Sequence, residues 1–373
     1  MKFSHSKLNC ILTNPMEYFL SYVEGIQPKE EKAALALGSA VHWGIEHNTE
    51  NLEEYYKEKG SFKQKDNYTK DNLLAEAMVH GYFKHKDELF NNLLTNPKTG
   101  GRLTLLDEQH EIYLNGKLKS NLNDLDFHEF VGIIDLLLVT DEGFIVVDYK
   151  TSTQVPDWDN YKEQLYRYIM LLRQNFPETP IVKIAIINLR KTCIRQKKNE
   201  NEDQFFARLK YEYEINDEEY VNYHEFPMKD IDTNLLDDYI ENLGRMCDMA
   251  YTIDKNKMWY INFTAANTAY GKSAYWDIFY KTPDNYILYK ISDKIWNEEN
   301  NSFDETRDCL PLDMKVIDNN CLNKYSIFKN EYQNFFSKNI MKDKNDFEKY
   351  LKSNYLIDDS LLNKYYLNLK HDI

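Results

Sequence analysis

The residues of this chain that could do chemistry together lie in one apolar stretch between Val131 and Ser152. Two runs rich in β-branched residues flank a three-residue Asp-Glu-Gly segment, a composition typical of a β-hairpin. If the hairpin loop has two residues, antiparallel pairing places Asp135 directly opposite Asp148. Because side chains alternate along a strand, Lys150 lies on the same face as Asp148. The spacing therefore predicts three ionisable groups on one patch of an apolar hairpin.

Two carboxylates placed in this way predict a metal site. Like charges on neighbouring strands repel each other unless a cation lies between them. A hard divalent cation such as Mg²⁺ takes oxygen ligands of this kind. The alternative is a solvated hairpin whose charges align by chance, but the residues that flank Asp135 and Asp148 are too apolar for a solvated face.

The order of these residues resembles the PD-(D/E)XK nuclease superfamily, in particular its RecB/AddB-like branch, which includes the CRISPR-associated RecB-like nucleases. Three segments carry the resemblance: Gly132-x-x-Asp135, Asp148-Tyr149-Lys150-Thr151-Ser152 and Gln164-Leu165-x-x-Tyr168. The resemblance implies that Asp135, Asp148 and the Tyr149 backbone carbonyl hold one or two ions of Mg²⁺ or Mn²⁺. It also implies that Lys150 orients or polarises the attacking water, and that Gln164 and Tyr168 line the DNA path from the next helix.

A small apolar segment before these motifs contains the pattern Gly38-x-x-x-His42. It resembles a motif of the same branch whose histidine ligates a metal ion, which implies that His42 joins the ligand set. Neutral imidazole is a plausible ligand beside carboxylates. The alternative is a core histidine that bonds to the backbone.

The resemblance also bears on iron–sulfur chemistry. Some members of the branch carry a cluster on four cysteines, and the corresponding positions here are Asn14, Tyr270, Ser273 and Phe279. None of these side chains supplies a thiolate, so the resemblance implies a relative without an iron–sulfur cluster. The alternative is that the loop around Tyr270 is unrelated to the cluster loop, but the five cysteines of the chain form no suitable quartet in either case.

The formal net charge of the chain is −15. Phosphate binding is usually driven by Lys and Arg, so any contact with DNA must be local. The best candidate is the run from Ile181 to Lys198, which contains no acidic residue. The predicted DNA-binding residues within it are Arg190, Lys191, Arg195, Lys197 and Lys198. The alternative is a strand followed by a charged surface loop.

Hydrophobic periodicity predicts helices and strands in mixed order, and the resemblance implies how they are arranged. We predict a PD-(D/E)XK nuclease core, with a mixed central sheet flanked by helices, a helical N-terminal part and a helical C-terminal extension. Predicted helices cover residues 4–25, 68–96 and 156–175 and continue from Asp232, and predicted strands cover 105–114, 131–140, 143–152, 183–189 and Gln204–Ile215. Glu108 and Glu111 on the strand at 105–114 could approach the metal site, but neither is included in the predicted ligand set.

The predicted domains are a nuclease domain at residues 1–285 and a helical extension at 286–373. The first divides into a helical part at about 1–100, a catalytic core at about 101–230 and closing helices at about 231–285. Short helices are expected at Tyr332–Phe336, Phe347–Leu351 and Leu361–Leu367. The extension could bind a protein partner such as a helicase or a recombination factor.

These observations predict a metal-dependent deoxyribonuclease. By analogy with the branch, an exonuclease is favoured over an endonuclease, with a role in DNA recombination, repair or phage DNA processing. The competing interpretation is a non-catalytic DNA-binding or scaffold subunit on a nuclease fold. No apolar run is long enough to span a membrane and no signal peptide is evident, so the predicted location is the cytoplasm of a bacterial or phage-infected cell.

Overall fold

The computed structural model describes residues 1–29, 33–59, 68–226, 233–268, 271–279, 289–291 and 307–308. Its contacts divide the chain into two compact units: the first contains residues 1–8 and 31–249, and the second contains 9–30 and 250–373. The domain boundary near residue 285 remains a prediction. The three short helices expected after residue 330 lie outside the described residues.

The helices and strands follow one another in mixed order along the chain. The helices are α1 His5–Thr13, α2 Pro15–Tyr18, α3 Ala33–Glu46, α4 Glu53–Lys59, α5 Tyr68–Leu93, α6 Lys162–Asn175, α7 Glu202–Ile215, α8 Asp217–Tyr220, α9 Thr233–Lys255 and α10 Trp276–Phe279, with a π-helical turn at Phe19–Val23 and a 3₁₀ turn at Trp158–Tyr161. The strands are β1 Lys2–Phe3, β2 Ile26–Pro28, β3 Leu105–Lys119, β4 Phe127–Thr140, β5 Gly143–Ser152, β6 Ile181–Arg190, β7 Val221–Phe226, β8 Asn267–Thr268, β9 Gly271–Lys272, β10 Tyr289–Ile291 and β11 Arg307–Asp308. No described helix is both long enough and apolar enough to cross a membrane.

The first unit is built on a six-stranded mixed sheet, as predicted. Its strand order is β1-β4-β5-β6-β7, and β3 also pairs with β4. The hairpin of β4 and β5 is antiparallel, with Thr140 opposite Gly143. The chain then crosses over through α6 and returns as β6, parallel to β5, which is the β-β-α-β order that the sequence predicts. Gly143 has a φ of 134°, and a Cβ there would lie 2.2 Å from the Pro180 carbonyl oxygen, so this turn requires glycine.

One face of the sheet packs against α3, α5 and α7. Strand β5 is buried along nearly its whole length, as expected for a central strand of apolar, β-branched residues that is covered on both faces. On this face Val147 and Tyr149 join the main hydrophobic core. The Tyr149 hydroxyl forms a hydrogen bond of 2.9 Å with the Tyr82 hydroxyl on α5, which satisfies both buried phenols.

Helix α6 covers β3 and β4 on the opposite face. Its apolar residues Leu165, Ile169 and Leu172 are buried. Gly132 on β4 allows a close approach, since a Cβ there would lie 2.9 Å from Leu171 Cδ1. The glycine of the first motif therefore sets the distance between the sheet and the helix that carries Gln164.

The prediction of a strand at Gln204–Ile215 is wrong: this segment is helix α7. Its apolar residues Phe205, Leu209 and Tyr213 are buried and lie four residues apart, so they share one helical face. Asn201 and Gln204 form a capping box, in which the Asn201 side chain accepts from the Gln204 N–H and the Gln204 side chain accepts from the Asn201 N–H. The strand beside β6 is instead β7, whose Ile186↔His224 pair lies in an antiparallel ladder.

In the second unit, Asn14 precedes α2 as its N-cap and Pro15 is the first helical residue. The Asn14 side chain does not cap the helix, because its Oδ1 accepts a hydrogen bond of 3.1 Å from the Asn262 backbone N–H. Ser273 Oγ donates to Glu17 Oε2 at 2.9 Å, and Phe279 is buried in the core of this unit. Asn14, Ser273 and Phe279, which the resemblance aligns with cluster cysteines, thus serve hydrogen bonding and apolar packing, whereas Tyr270 lies outside the described residues.

Candidate metal centre

The two motif aspartates lie where the hairpin ladder stops. The last paired residues of β4 and β5 are Leu136 and Val147, and the next residues are Asp135 and Asp148. Asp135 Oδ2 accepts a hydrogen bond of 2.7 Å from the Tyr149 backbone N–H. A carboxylate therefore takes a backbone donor at the point where the two strands cease to pair.

Asp148 is buried and surrounded by polar partners. It has 1% exposure and forms an ion pair with the ammonium of Lys150. Its Oδ1 accepts a hydrogen bond of 3.0 Å from Gln164 Nε2 and one of 3.5 Å from the Tyr168 hydroxyl. Gln164 Nε2 also donates to that hydroxyl at 2.6 Å. The structure thus brings four predicted site residues into direct contact with one another.

The pKa values reflect this crowding of charge. Burial raises the pKa of Asp148 to about 6, although the Lys150 ammonium opposes the increase. Burial lowers the pKa of Lys150, but the carboxylates of Asp148 and Asp135 outweigh that effect and hold the pKa above its usual value. Lys150 therefore remains a cation at neutral pH.

His42 reaches the same site from α3. Its Nδ1 lies 3.8 Å from Asp135 Oδ2, and its side chain is 28% exposed. One turn earlier, a Cβ at Gly38 would lie 3.1 Å from Thr151 Oγ1 on β5. The small residue at Gly38 therefore allows α3 to pack closely on the strand that carries Asp148, which positions the imidazole.

Glu111 also belongs to this site, although the predicted ligand set omits it. The ladder between β3 and β4 pairs His110 with Leu136 and Ile112 with Ile134, so Glu111 lies opposite Asp135. Glu111 has a φ of 49°, in the left-handed region that a non-glycine residue rarely adopts. The sequence shows only an acidic residue on a half-exposed strand, and no pattern in it marks this departure from strand geometry between two paired residues.

The residues present fit a divalent cation. His42, Glu111 and Asp135 offer one imidazole nitrogen and two carboxylate oxygens, all within 4.8 Å of one another. Desolvation of the carboxyl group and the nearby charges of Asp135, Glu46 and Asp148 raise the pKa of Glu111 to about 7. A cation among these groups would relieve their repulsion, and a set of oxygens with one imidazole suits Mg²⁺ or Mn²⁺. The oxygens of Asp148 point to Lys150 and Gln164, so Asp148 borders the three-residue group.

The basic run leaves the sheet at the same end as Lys150. Arg190 pairs with Ser152 in the β5–β6 ladder, and its guanidinium lies 3.3 Å from Glu219 Oε1. The Lys191 N–H donates to the Ser152 carbonyl at 2.7 Å. Arg195, Lys197 and Lys198 follow in a loop and are exposed. Contact between these residues and DNA remains a prediction.

Comparison with known proteins identifies the relatives of this architecture. A model of the PD-(D/E)XK nuclease superfamily matches residues 2–249. No curated protein matches the chain. Among solved structures, a candidate exonuclease from Eubacterium rectale is 15% identical, with a TM-score of 0.42, over 67% of this chain and 81% of that one. The structure of the protein SSO0001 is 14% identical in sequence, with a TM-score of 0.21, over 56% of this chain and 81% of that one.

Proposed function

The chain belongs to the PD-(D/E)XK nuclease superfamily, and on that premise we propose that it is a Mg²⁺- or Mn²⁺-dependent deoxyribonuclease that hydrolyses phosphodiester bonds. The observation that carries the proposal is the convergence of Asp148 and Lys150 with the group His42, Glu111 and Asp135 at one end of the sheet. This site combines ligands for a cation with the ammonium of Lys150, whose side chain is 20% exposed.

Each side chain of the site has a distinct role in this proposal. His42, Glu111 and Asp135, with Asp148 and the Tyr149 carbonyl at their border, would hold the ion. Such an ion supplies Lewis-acid stabilisation of negative charge on the phosphate and lowers the pKa of water.

Lys150 and the helix α6 residues act beside that ion. The Lys150 ammonium, held by Asp148, donates hydrogen bonds to the attacking water and to the developing negative charge. Gln164 and Tyr168 donate to Asp148 Oδ1, so they fix the orientation of the carboxylate that in turn holds Lys150.

We place the protein in the RecB/AddB-like branch as an exonuclease. The pairing of Gln164 and Tyr168 on one helix face and the presence of His42 beside Asp135 support this assignment. An exonuclease of this kind would serve DNA repair, recombination or phage DNA processing. With Asn14 and Ser273 at cluster positions, it would work without iron.

A non-catalytic DNA-binding or scaffold subunit is the second candidate, and the net charge of −15 favours it. The two functions differ in whether DNA is consumed. In the test, the full chain is incubated with end-labelled linear DNA in Mg²⁺ and, as a control, in EDTA. A closed circular DNA of the same sequence separates the exonuclease, which spares it, from an endonuclease.

Variants at the centre make this test specific. Asp148→Ala and Lys150→Ala should each reduce the cleavage rate at least about 100-fold, since each removes electrostatic stabilisation from the site. Lys210→Ala is a matched control, because Lys210 lies on α7 and forms an ion pair with Glu50. This variant should cleave DNA at the wild-type rate. Wild-type rates in both site variants would refute the proposal.

A further inference from the structure

Three aromatic side chains form a patch beside the proposed centre: Trp158, Tyr161 and His224, here called the aromatic shelf. Trp158 and Tyr161 lie on the 3₁₀ turn between β5 and α6. The Trp158 ring is stacked on the His224 ring, with centroids 4.6 Å apart and planes inclined by 3°. The Lys150 ammonium lies 5.3 Å from the centre of the Tyr161 ring.

The sheet places the shelf on the face that carries Asp148. Asp148 pairs with Ile186 across the β5–β6 ladder, and Ile186 pairs with His224 across the β6–β7 ladder. Residues paired in neighbouring strands share a face, so His224 lies on the Asp148 face, two strands away. The shelf therefore extends from Lys150 across the sheet toward β7.

The aromatic residues of the shelf differ from those of the core. Buried phenols and indoles usually find a hydrogen-bond partner, as Tyr82 and Tyr149 do for each other. Trp158 and Tyr161 are only half-buried. Within the part of the chain that the structure describes, no hydrogen bond engages the Trp158 indole nitrogen or the Tyr161 hydroxyl.

We propose that the aromatic shelf stacks against unpaired nucleobases, so that the substrate of the centre is a single-stranded DNA end. This inference rests on the proposed function, because it assumes a DNA phosphate beside Lys150. A base extends sideways from its phosphate, and Tyr161 is the aromatic ring in contact with Lys150.

Stacking on the shelf selects for the single strand. Bases inside a duplex are covered by their neighbours and cannot present a face to Trp158 or Tyr161. Aromatic rings can stack on every base, because each base has a π face. The shelf would therefore bind single strands of any nucleotide sequence.

The test measures the affinity of the full chain for a labelled single-stranded oligonucleotide and for a blunt duplex of the same length, in Ca²⁺. Trp158→Ala and Tyr161→Ala should each weaken binding of the single strand roughly five- to a hundredfold, as expected for loss of one stacked base. Binding of the blunt duplex should change less than about twofold.

Conservative variants separate stacking from folding. Trp158→Phe and Tyr161→Phe keep a flat ring and should retain most of the single-strand affinity. Tyr211→Ala removes an aromatic side chain on α7 that is 58% exposed, and it should leave both affinities unchanged.

An unchanged single-strand affinity in both alanine variants, or an equal loss for duplex and single strand, would overturn the inference. Failure of the proposed function has a different signature, since the wild-type protein would then leave end-labelled DNA intact in Mg²⁺. A wild-type enzyme that cleaves DNA while the alanine variants bind the single strand normally would overturn the shelf alone.

Discussion

Glu111 illustrates at the scale of one residue how the site is assembled. A non-glycine residue in a sparsely populated backbone region costs on the order of 1–3 kcal/mol and persists only where its surroundings impose it. Here the left-handed residue lies between two paired positions of the β3–β4 ladder, and its carboxyl group lies near Asp135 and His42. A strained residue among like charges is more easily explained by ligand binding than by packing.

We therefore expect Glu111→Gln to weaken Mn²⁺ binding about tenfold or more, since it removes one negative ligand from a three-residue group. Isothermal titration calorimetry of the metal alone measures this without any turnover. Glu108→Gln is the matched control, because Glu108 lies on the same strand and pairs with Lys86 instead. Equal affinities in wild type and Glu111→Gln would exclude Glu111 from the ligand set.

At the scale of elements, the first residue of α1 and helix α6 are joined within the first unit by a buried cation. Arg167 is 1% exposed, and its guanidinium donates to His5 Nδ1 and, at 2.9 Å, to the Tyr239 hydroxyl. Burial, followed by the charges of Arg167 and Lys150, lowers the pKa of His5 to about 4. The contact requires a neutral imidazole, since a protonated His5 could not accept from Arg167.

This arrangement predicts loss of stability in acid. Below pH 6.5, the ordinary pKa of histidine, His5 becomes protonated in the unfolded chain but stays neutral in the folded protein. The contribution of His5 to the free energy of unfolding is therefore fully present above pH 6.5 and is lost as the pH falls toward 4. The difference between a pKa of about 6.5 in the unfolded chain and about 4 in the folded protein corresponds to about 3 kcal/mol, and screening by solvent reduces the loss of stability to the order of 2 kcal/mol.

Urea unfolding at pH 7 and pH 5 measures the effect as a difference between proteins. His5→Gln supplies a neutral acceptor and should lose less stability than wild type between these two values. His47→Gln replaces a histidine that is 46% exposed and should behave like wild type. A wild-type pH dependence in His5→Gln would show that another group is responsible.

At the scale of the whole molecule, the proposed function requires a negatively charged protein to bind DNA, which is also negatively charged. Electrostatic interactions between exposed charges are screened beyond about 8 Å at physiological salt, so distant carboxylates contribute little near a bound strand. The basic run begins at Arg190 and Lys191, which pair with Ser152 at the end of β5 that carries Lys150. Local positive charge can therefore act despite the net charge of −15.

Neutralising Arg190, Lys191, Arg195, Lys197 and Lys198 together should weaken DNA binding and flatten its dependence on salt, since fewer counterions are released. Affinity for DNA at several salt concentrations in Ca²⁺ measures the slope, and the metal affinity should not change. Neutralising Lys84 and Lys210, on α5 and α7, should leave the slope as in wild type. An unchanged slope in the five-residue variant would place the strand elsewhere.

The sequence by itself determined the parts of this protein whose signals are local. The β4–β5 hairpin follows from two apolar runs rich in β-branched residues around a short turn, and the position of Asp135 beside Asp148 follows from that register. The packing of α6 on the sheet follows from Leu165 and Ile169 on one helix face. These features depend on residues close together in the chain, where spacing alone fixes geometry.

Only the tertiary structure decided the rest. The helix at Glu202–Ile215 was not predicted because its aromatic residues also fit a strand, and the capping box at Asn201 and the packing of Tyr213 select the helix. Glu111 joins His42 and Asp135 through a ladder and a helix that are distant in sequence. The stacking of Trp158 on His224 likewise depends on the pairing of β7 with β6. Contacts between remote segments are formed by sheet register and helix packing, which no local pattern records.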